Sequence, residues 1–240
     1  MTSLTVIGQN GLVVTSLTGE EALATVDAGD HTGKAFTINA AESNVDMTVT
    51  GSAGAPITEG TTVNTITTGS GDDDVTGGDY ADTVTTGLGN DTVDGGAGND
   101  TLTIGAGIDT AIGGDGNDTL VLGANYTTLD TIDGGDGTDS VTITTVNGSL
   151  TPVLTSVEKV TMTAAAGGTN TLALSKSTSV YQVTVADGAD VGTTISSMGS
   201  GTVINSDTGN TLTVDTVADA ALSVYAGAAN TNALTIADAA

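Results

Sequence analysis

The 240-residue chain contains no cysteine, no tryptophan and no arginine, and its one histidine is His31. Without cysteine there are no disulfides, and the redox compartment stays open. With a single histidine, Ser-His-Asp, Cys-His and His-based zinc arrangements all lack parts. Aromatic residues make up 2% of the chain: Phe36, Tyr80, Tyr126, Tyr181 and Tyr225, all scattered. That excludes a thick aromatic core and gives no stacking platform for a sugar. Positive charge is nearly absent too. Lys34, Lys159 and Lys176 stand against 29 acids, for a net charge of −26, which disfavours nucleic acid and anionic membrane surfaces as partners. No apolar run is long enough to insert into a bilayer. The N-terminus has neither a basic stretch nor an apolar core of the conventional signal-peptide kind.

What is present is threonine, at 48 positions, and a hydrophobic fraction of 38% supplied mostly by Ala, Val, Leu and Ile. Such a chain is not generally disordered. Many β-branched residues and few bulky ones suit a thin, regular β core. Of the 24 Asp residues, 15 lie between Asp72 and Asp139, many at a spacing of nine. A solvated acidic face requires no spacing, so the period calls for another cause.

The period is a nonapeptide with six in-frame copies, starting at Thr68, Gly77, Thr86, Gly95, Ile104 and Gly113. Gly95-Gly96-Ala97-Gly98-Asn99-Asp100-Thr101-Leu102-Thr103 shows its form: Gly at positions one, two and four, Asp at six, a large aliphatic at eight. A further copy, Gly134 to Thr142, follows a segment from Leu122 to Asp133 that reads as a repeat enlarged by three residues and bulging outward around Asn125 and Tyr126. Upstream, Thr50–Thr58 and Glu59–Thr67 keep the frame and an aliphatic at position eight (Ile57, Ile66) but carry Ala55 and Asn64 in place of Asp. Glycine permits backbone conformations that a side chain forbids and lets carbonyl oxygens turn toward an ion. Asp offers a hard carboxylate oxygen suited to Ca²⁺. The aliphatics point inward as a ladder of Val75, Val84, Val93, Leu102, Ala111, Leu120 and Val141. Tyr80 in place of Gly at position four is expected to weaken binding near Asp82.

G-G-x-G-x-D-x-U-x, with U a large aliphatic, resembles the calcium-binding repeat of the RTX (repeats-in-toxin) family. The resemblance implies an all-β fold, a right-handed parallel β-helix or β-roll solenoid with calcium-binding turns and two nonapeptides per coil. Several Ca²⁺ ions would sit between coils, bridged by the Asp residues of repeats i and i+2: Asp73/Asp91, Asp91/Asp109, Asp82/Asp100 and Asp100/Asp118. The expected metal residues are Asp73, Asp82, Asp91, Asp100, Asp109, Asp118 and Asp139. The turn glycines that accompany them are Gly69, Gly71, Gly78, Gly87, Gly89, Gly96, Gly98, Gly105, Gly107, Gly114, Gly116, Gly135 and Gly137.

Beyond Val141 the nonapeptides stop but a period of roughly twenty continues. Asn170-Thr171-Leu172-Ala173-Leu174 returns as Asn210-Thr211-Leu212-Thr213-Val214, and a second series runs through Val160 and Met162, Val183 and Val185, Val203, then Leu222 and Val224. Three segments follow: 1–49, a β segment that either caps the solenoid or adds coil; 50–142, the calcium-binding roll; and 143–240, wider calcium-poor coils. Thr18 to Leu23 could form one helical turn. The tail, with Ser156-Val157-Glu158-Lys159-Val160 ahead of Thr/Ser-rich ladders, resembles the β-solenoid portion of surface-layer proteins of Gram-negative bacteria of the Caulobacter type.

No enzymatic site emerges. Gly29 to Ala35 is one residue short of a P-loop, with Ala35 where Ser or Thr is needed. The function expected is a secreted, calcium-dependent structural protein, a subunit of a surface layer or extracellular filament that folds and assembles on Ca²⁺ outside the cell. Its expected partners are further copies of itself, head-to-tail or lateral, with a cell-surface polysaccharide as a candidate anchor. Export would use the type I route, without an N-terminal signal peptide. The alternatives are a spacer of an RTX adhesin, or the secretion and folding domain of an RTX enzyme or toxin.

Overall fold

The computed structural model describes residues 3–5, 12–14, 24–29, 36–52, 64–145, 148–164, 169–177, 179–186, 192–198, 202–206, 212–216, 223–226 and 234–238. Residues 18–23, His31, Ile57 and Ala55 lie outside them. Every regular element described is a β-strand, and each pairing resolved is parallel. The architecture is an all-β parallel solenoid, in two compact units: 1–121 with 129–139, and 122–128 with 140–240.

In the first unit, consecutive strands alternate between two sheets. Sheet one stacks Ser3–Thr5, Thr25–Asp27, Thr48–Thr50, Asp74–Asp79, Thr92–Ala97, Thr110–Asp115 and Thr131–Asp136. Sheet two stacks Leu12–Val14, Phe36–Asn39, Asn64–Thr67, Thr83–Thr85, Thr101–Thr103 and Thr119–Gly123. The described strands before residue 51 pair into these same two sheets. Thr–aliphatic–Thr triplets form these strands because β-branched side chains suit the extended backbone and alternation sends the middle residue inward. Leu102 pairs with Val84 on one side and Leu120 on the other, and Val93 with Val75 and Ala111. All of them are buried, as are the neighbouring rungs Ile66, Val49 and Val26.

The two halves of each coil differ. Along the nonapeptides, the sheet-one strands Asp74–Asp79, Thr92–Ala97 and Thr110–Asp115 run six residues, through the first three positions of the next repeat, whereas the sheet-two strands Thr83–Thr85 and Thr101–Thr103 run three. Position one explains it. After sheet one it is Gly77, Gly95, Gly113 or Gly134; after sheet two it is Thr68, Thr86, Ile104 or Leu122, all buried. This second inward rung was missed from sequence because the period looked like nine when its exact repeat is eighteen. Ile132 was missed as well: it belongs to the enlarged repeat, whose coil is twenty-one residues instead of eighteen, and pairs with Ala111.

In the second unit, one sheet stacks Ser140–Thr145, Lys159–Ala164, Gln182–Ala186, Val203–Ser206 and Ser223–Ala226; another stacks Gly148–Leu150, Thr169–Ala173, Gly192–Met198, Leu212–Thr216 and Leu234–Asp238. Two readings of this region need correction. The inward rung is Ile204, paired with Val183 and Val224, and Val203 is only partly buried. Leu172 stacks through Ile195 onto Val214, so Asn170 is in register with Leu212 and not with Asn210. A register shift between Ser196 and Met198, with Ser197 at φ 62°, sits in that stack. Matching letters set the sequence alignment, whereas burial of alternate side chains sets the real register. Tyr126 is the third correction. The chain does turn at Gly123 to Asn125, but Tyr126 folds back, is buried, and its hydroxyl accepts the Val153 N–H at 3.2 Å. A buried phenol with a partner is cheaper than an exposed one.

Candidate metal sites

The seven Asp residues expected from the repeat are all buried. They stand in two columns. In the first, the Asp91 Oδ1 accepts the N–H of Asp73 at 3.0 Å, Asp109 accepts from Asp91 at 2.8 Å, and Asp130 accepts from Asp109 at 3.1 Å. In the second, Asp100 accepts from Asp82, Asp118 from Asp100 and Asp139 from Asp118, each at 2.7 Å. Each carboxylate thus reaches back one coil and holds the start of the strand before it. Every predicted pair is brought together, and the columns extend further. Asp130, at the end of the enlarged repeat, joins the Asp73 column. It was missed because three extra residues displaced it from the nine-residue frame.

One oxygen per carboxylate is therefore occupied by coil stacking. The other is not: the buried Oδ2 atoms of Asp73, Asp82, Asp91 and Asp100 have no hydrogen-bond donor. Burial raises the pKa of Asp82 to about 8, with the neighbouring Asp100 charge adding to it and the Asn64 N–H opposing it. Burial likewise raises Asp100 to about 7 and Asp91 and Asp118 to about 6, and pushes Asp73 and Asp109 upward. No lysine or arginine occurs between residues 64 and 145. Buried carboxylates without a counter-charge are costly, so the columns call for a cation.

The glycines have a stricter reason than backbone freedom. A β-carbon on any of the thirteen expected positions would run into the carbonyl of the corresponding residue one coil earlier: Gly105 into Gly87, Gly116 into Gly98, and so through Gly69, Gly71, Gly78, Gly87, Gly89, Gly96, Gly98, Gly107, Gly114, Gly135 and Gly137. Several of these carbonyls already have donors, with Ser43 accepting from Ser70, Gly69 from Leu88 and Gly87 from Ala106. Tyr80 takes the glycine place with φ 75°, a left-handed backbone that an L side chain adopts only under strain.

Position five, invisible in the repeat formula, is also a ladder. Asp72 accepts the Asn90 N–H at 2.7 Å, Asn90 accepts from Ile108 at 2.9 Å, Asn99 from Asn117 at 2.7 Å and Asn117 from Thr138 at 2.9 Å. These side chains reach forward while those of position six reach back, so each coil is tied both ways.

The donors fit calcium. They are hard oxygens, carboxylate and carbonyl, set on turns without nitrogen or sulphur ligands, as Ca²⁺ prefers. Among the described residues no three His, Cys, Asp or Glu side chains gather into one metal cluster. An ion here would draw on two Asp residues and on backbone carbonyls. The geometry defines a class, a parallel β-solenoid with stacked carboxylate columns at its turns. Residues 67–102 and 104–129 match the family model of the RTX calcium-binding nonapeptide repeat, in 4 copies. The matched stretches carry the RTX calcium-binding nonapeptide repeat, and the parallel β-solenoid they build is consistent with an RTX β-roll. No curated protein and no solved structure matches the chain.

Proposed function

We propose that the chain is an extracellular structural protein whose first unit folds on meeting calcium and whose coils join those of other copies in a surface layer or filament. The observation that carries it is the pair of buried, uncompensated carboxylate columns running through the roll. Cytosolic calcium is roughly micromolar or lower, whereas extracellular modules commonly bind at about 0.1–1 mM. Inside a cell the columns would repel, and the chain would remain open enough to thread a type I export channel. Outside, bound ions would stabilise the fold by mass action. RTX repeats occur in proteins exported from cells, which supports that location.

Assembly is supported by the sheet ends. Among the described strands, Ser3–Thr5, Leu12–Val14, Ser223–Ala226 and Leu234–Asp238 lie at the ends of their sheets, each with one neighbouring strand. Open parallel edges pair with another copy or with further chain. Electron microscopy of the purified chain in millimolar calcium, beside an EGTA control, tests this reading. Ordered filaments or sheets that need calcium are expected. Folded but dispersed particles at high concentration would overturn assembly and favour a spacer of an RTX adhesin.

A further inference from the structure

The Asp82 column ends on a residue that is not an acid. Asn64 occupies the position equivalent to Asp82 one coil earlier, and it is fully buried. Its backbone N–H donates to the Asp82 Oδ1 at 2.8 Å, as every other member of the column donates to the next. Its side chain behaves differently. Oδ1 accepts the Ser52 N–H at 3.1 Å, while Nδ2 donates to the Asp82 Oδ1 at 2.8 Å, the Gly77 carbonyl at 3.0 Å and the Ser52 carbonyl at 3.3 Å.

The place of that nitrogen is informative. A β-carbon on Gly51 would lie 3.1 Å from Asn64 Nδ2, and one on Gly77 would lie 2.8 Å from Asp82 Oδ2. Gly51 and Gly77 are the same position of successive coils, because Gly51 abuts the Gly77 carbonyl as Gly77 abuts that of Gly95. Asn64 Nδ2 therefore occupies the site that an unpartnered carboxylate oxygen occupies in the following coil. Three oxygens converge on it: two carbonyls and one carboxylate. This is the kind of oxygen set that a hard cation takes, here met by an N–H₂ group that needs no counter-ion.

We infer that Asn64 is a built-in substitute for a calcium ion, closing the Asp82 column at its first step and giving that end of the roll a metal-independent seat. The inference rests on the calcium reading of the columns. It predicts that the Asn64→Asp chain turns the seat into one more ion site and makes this end of the roll depend on metal.

The test uses the full chain with calcium alone as ligand. Bound calcium per chain is counted at saturation, and amide exchange over residues 64–85 is followed with and without EGTA. Asn64→Asp should bind one additional ion and, in EGTA, lose protection over 64–85 by about tenfold or more, as loss of buried hydrogen bonds implies; calcium should restore it. Asn64→Ala should keep the wild-type ion count yet lose the same metal-free protection. An unchanged count in Asn64→Asp, or unchanged protection in Asn64→Ala, overturns the inference. Should Asn64→Asp fail to fold even with calcium, the Asn64→Ala exchange decides alone. A wild-type chain that binds no calcium would overturn the functional reading instead, and the Asn64→Ala exchange would still show whether Asn64 seats the column.

Discussion

Each buried Asp of the roll divides its carboxylate between two tasks, one oxygen for stacking and one for charge. The spacing of nine made the columns readable. It did not reveal that Oδ1 already holds a backbone N–H, because a formula records which residues recur and not what their atoms meet. The division has a pH consequence. Unfolded carboxyls titrate near 3.8, whereas folded Asp82 and Asp100 titrate at about 8 and 7, and Asp91 and Asp118 at about 6. Between about pH 4 and pH 8 the metal-free fold holds more protons than the unfolded chain, so its stability falls as pH rises through that window. In a chelator the β signal by circular dichroism should be strongest near pH 4 to 5 and decline toward pH 8, and calcium should remove the decline. A β signal that grows with pH in the chelator would refute this account of the columns.

At the scale of strands and turns, the aliphatic ladder was legible because position eight has one chemical requirement, to be apolar and inward. Thr86, Ile104 and Leu122 were not recognised as a second inward rung, since position one alternates between these residues and glycine. The real unit is a pair of unlike repeats. The registers of Ile204 and of Leu172 with Val214 escaped for a related reason: in coils of varying length, similar letters need not stack. Tyr80 sits where this turn asks for glycine, with φ 75° and a side chain that is 40% exposed. A left-handed non-glycine residue costs about 1–2 kcal/mol, and glycine returns about 0.5–1 kcal/mol through unfolded-state freedom. Tyr80→Gly should therefore raise the melting temperature modestly in saturating calcium and tighten calcium binding near Asp82. A lower melting temperature would mean that the ring contributes more than the backbone loses.

Across the whole molecule, the two units solve the problem of tying coils together with different chemistry. The first uses carboxylates. Among the described residues of the second, the buried polar groups are Asn170, Ser177, Thr193 and Thr202, all neutral. Ser177 accepts the Leu154 N–H at 3.1 Å and donates to the Pro152 carbonyl at 2.9 Å, and Ser179 brackets Val157 in the same way at 3.0 and 2.8 Å. A hydroxyl both donates and accepts, so it needs no ion. Calcium removal should therefore act locally. Hydrogen exchange in EGTA at neutral pH should accelerate strongly over residues 86–139, less over 64–85, where Asn64 seats the column, and much less over 154–164 and 179–186. Uniform acceleration would show that the second unit depends on the first for its stability.

The unlike halves of the coil also restrict how such a gene can lengthen or shorten. Copying one nonapeptide would set Ile104-type residues above Gly95-type ones, forcing β-carbons into neighbouring carbonyls. Copying two together keeps both columns, both rungs and the forward ties of position five in step. Tandem duplication and loss in this stretch should thus be tolerated in multiples of eighteen residues and purged in odd multiples of nine, so the length of the roll is quantised by its cross-section.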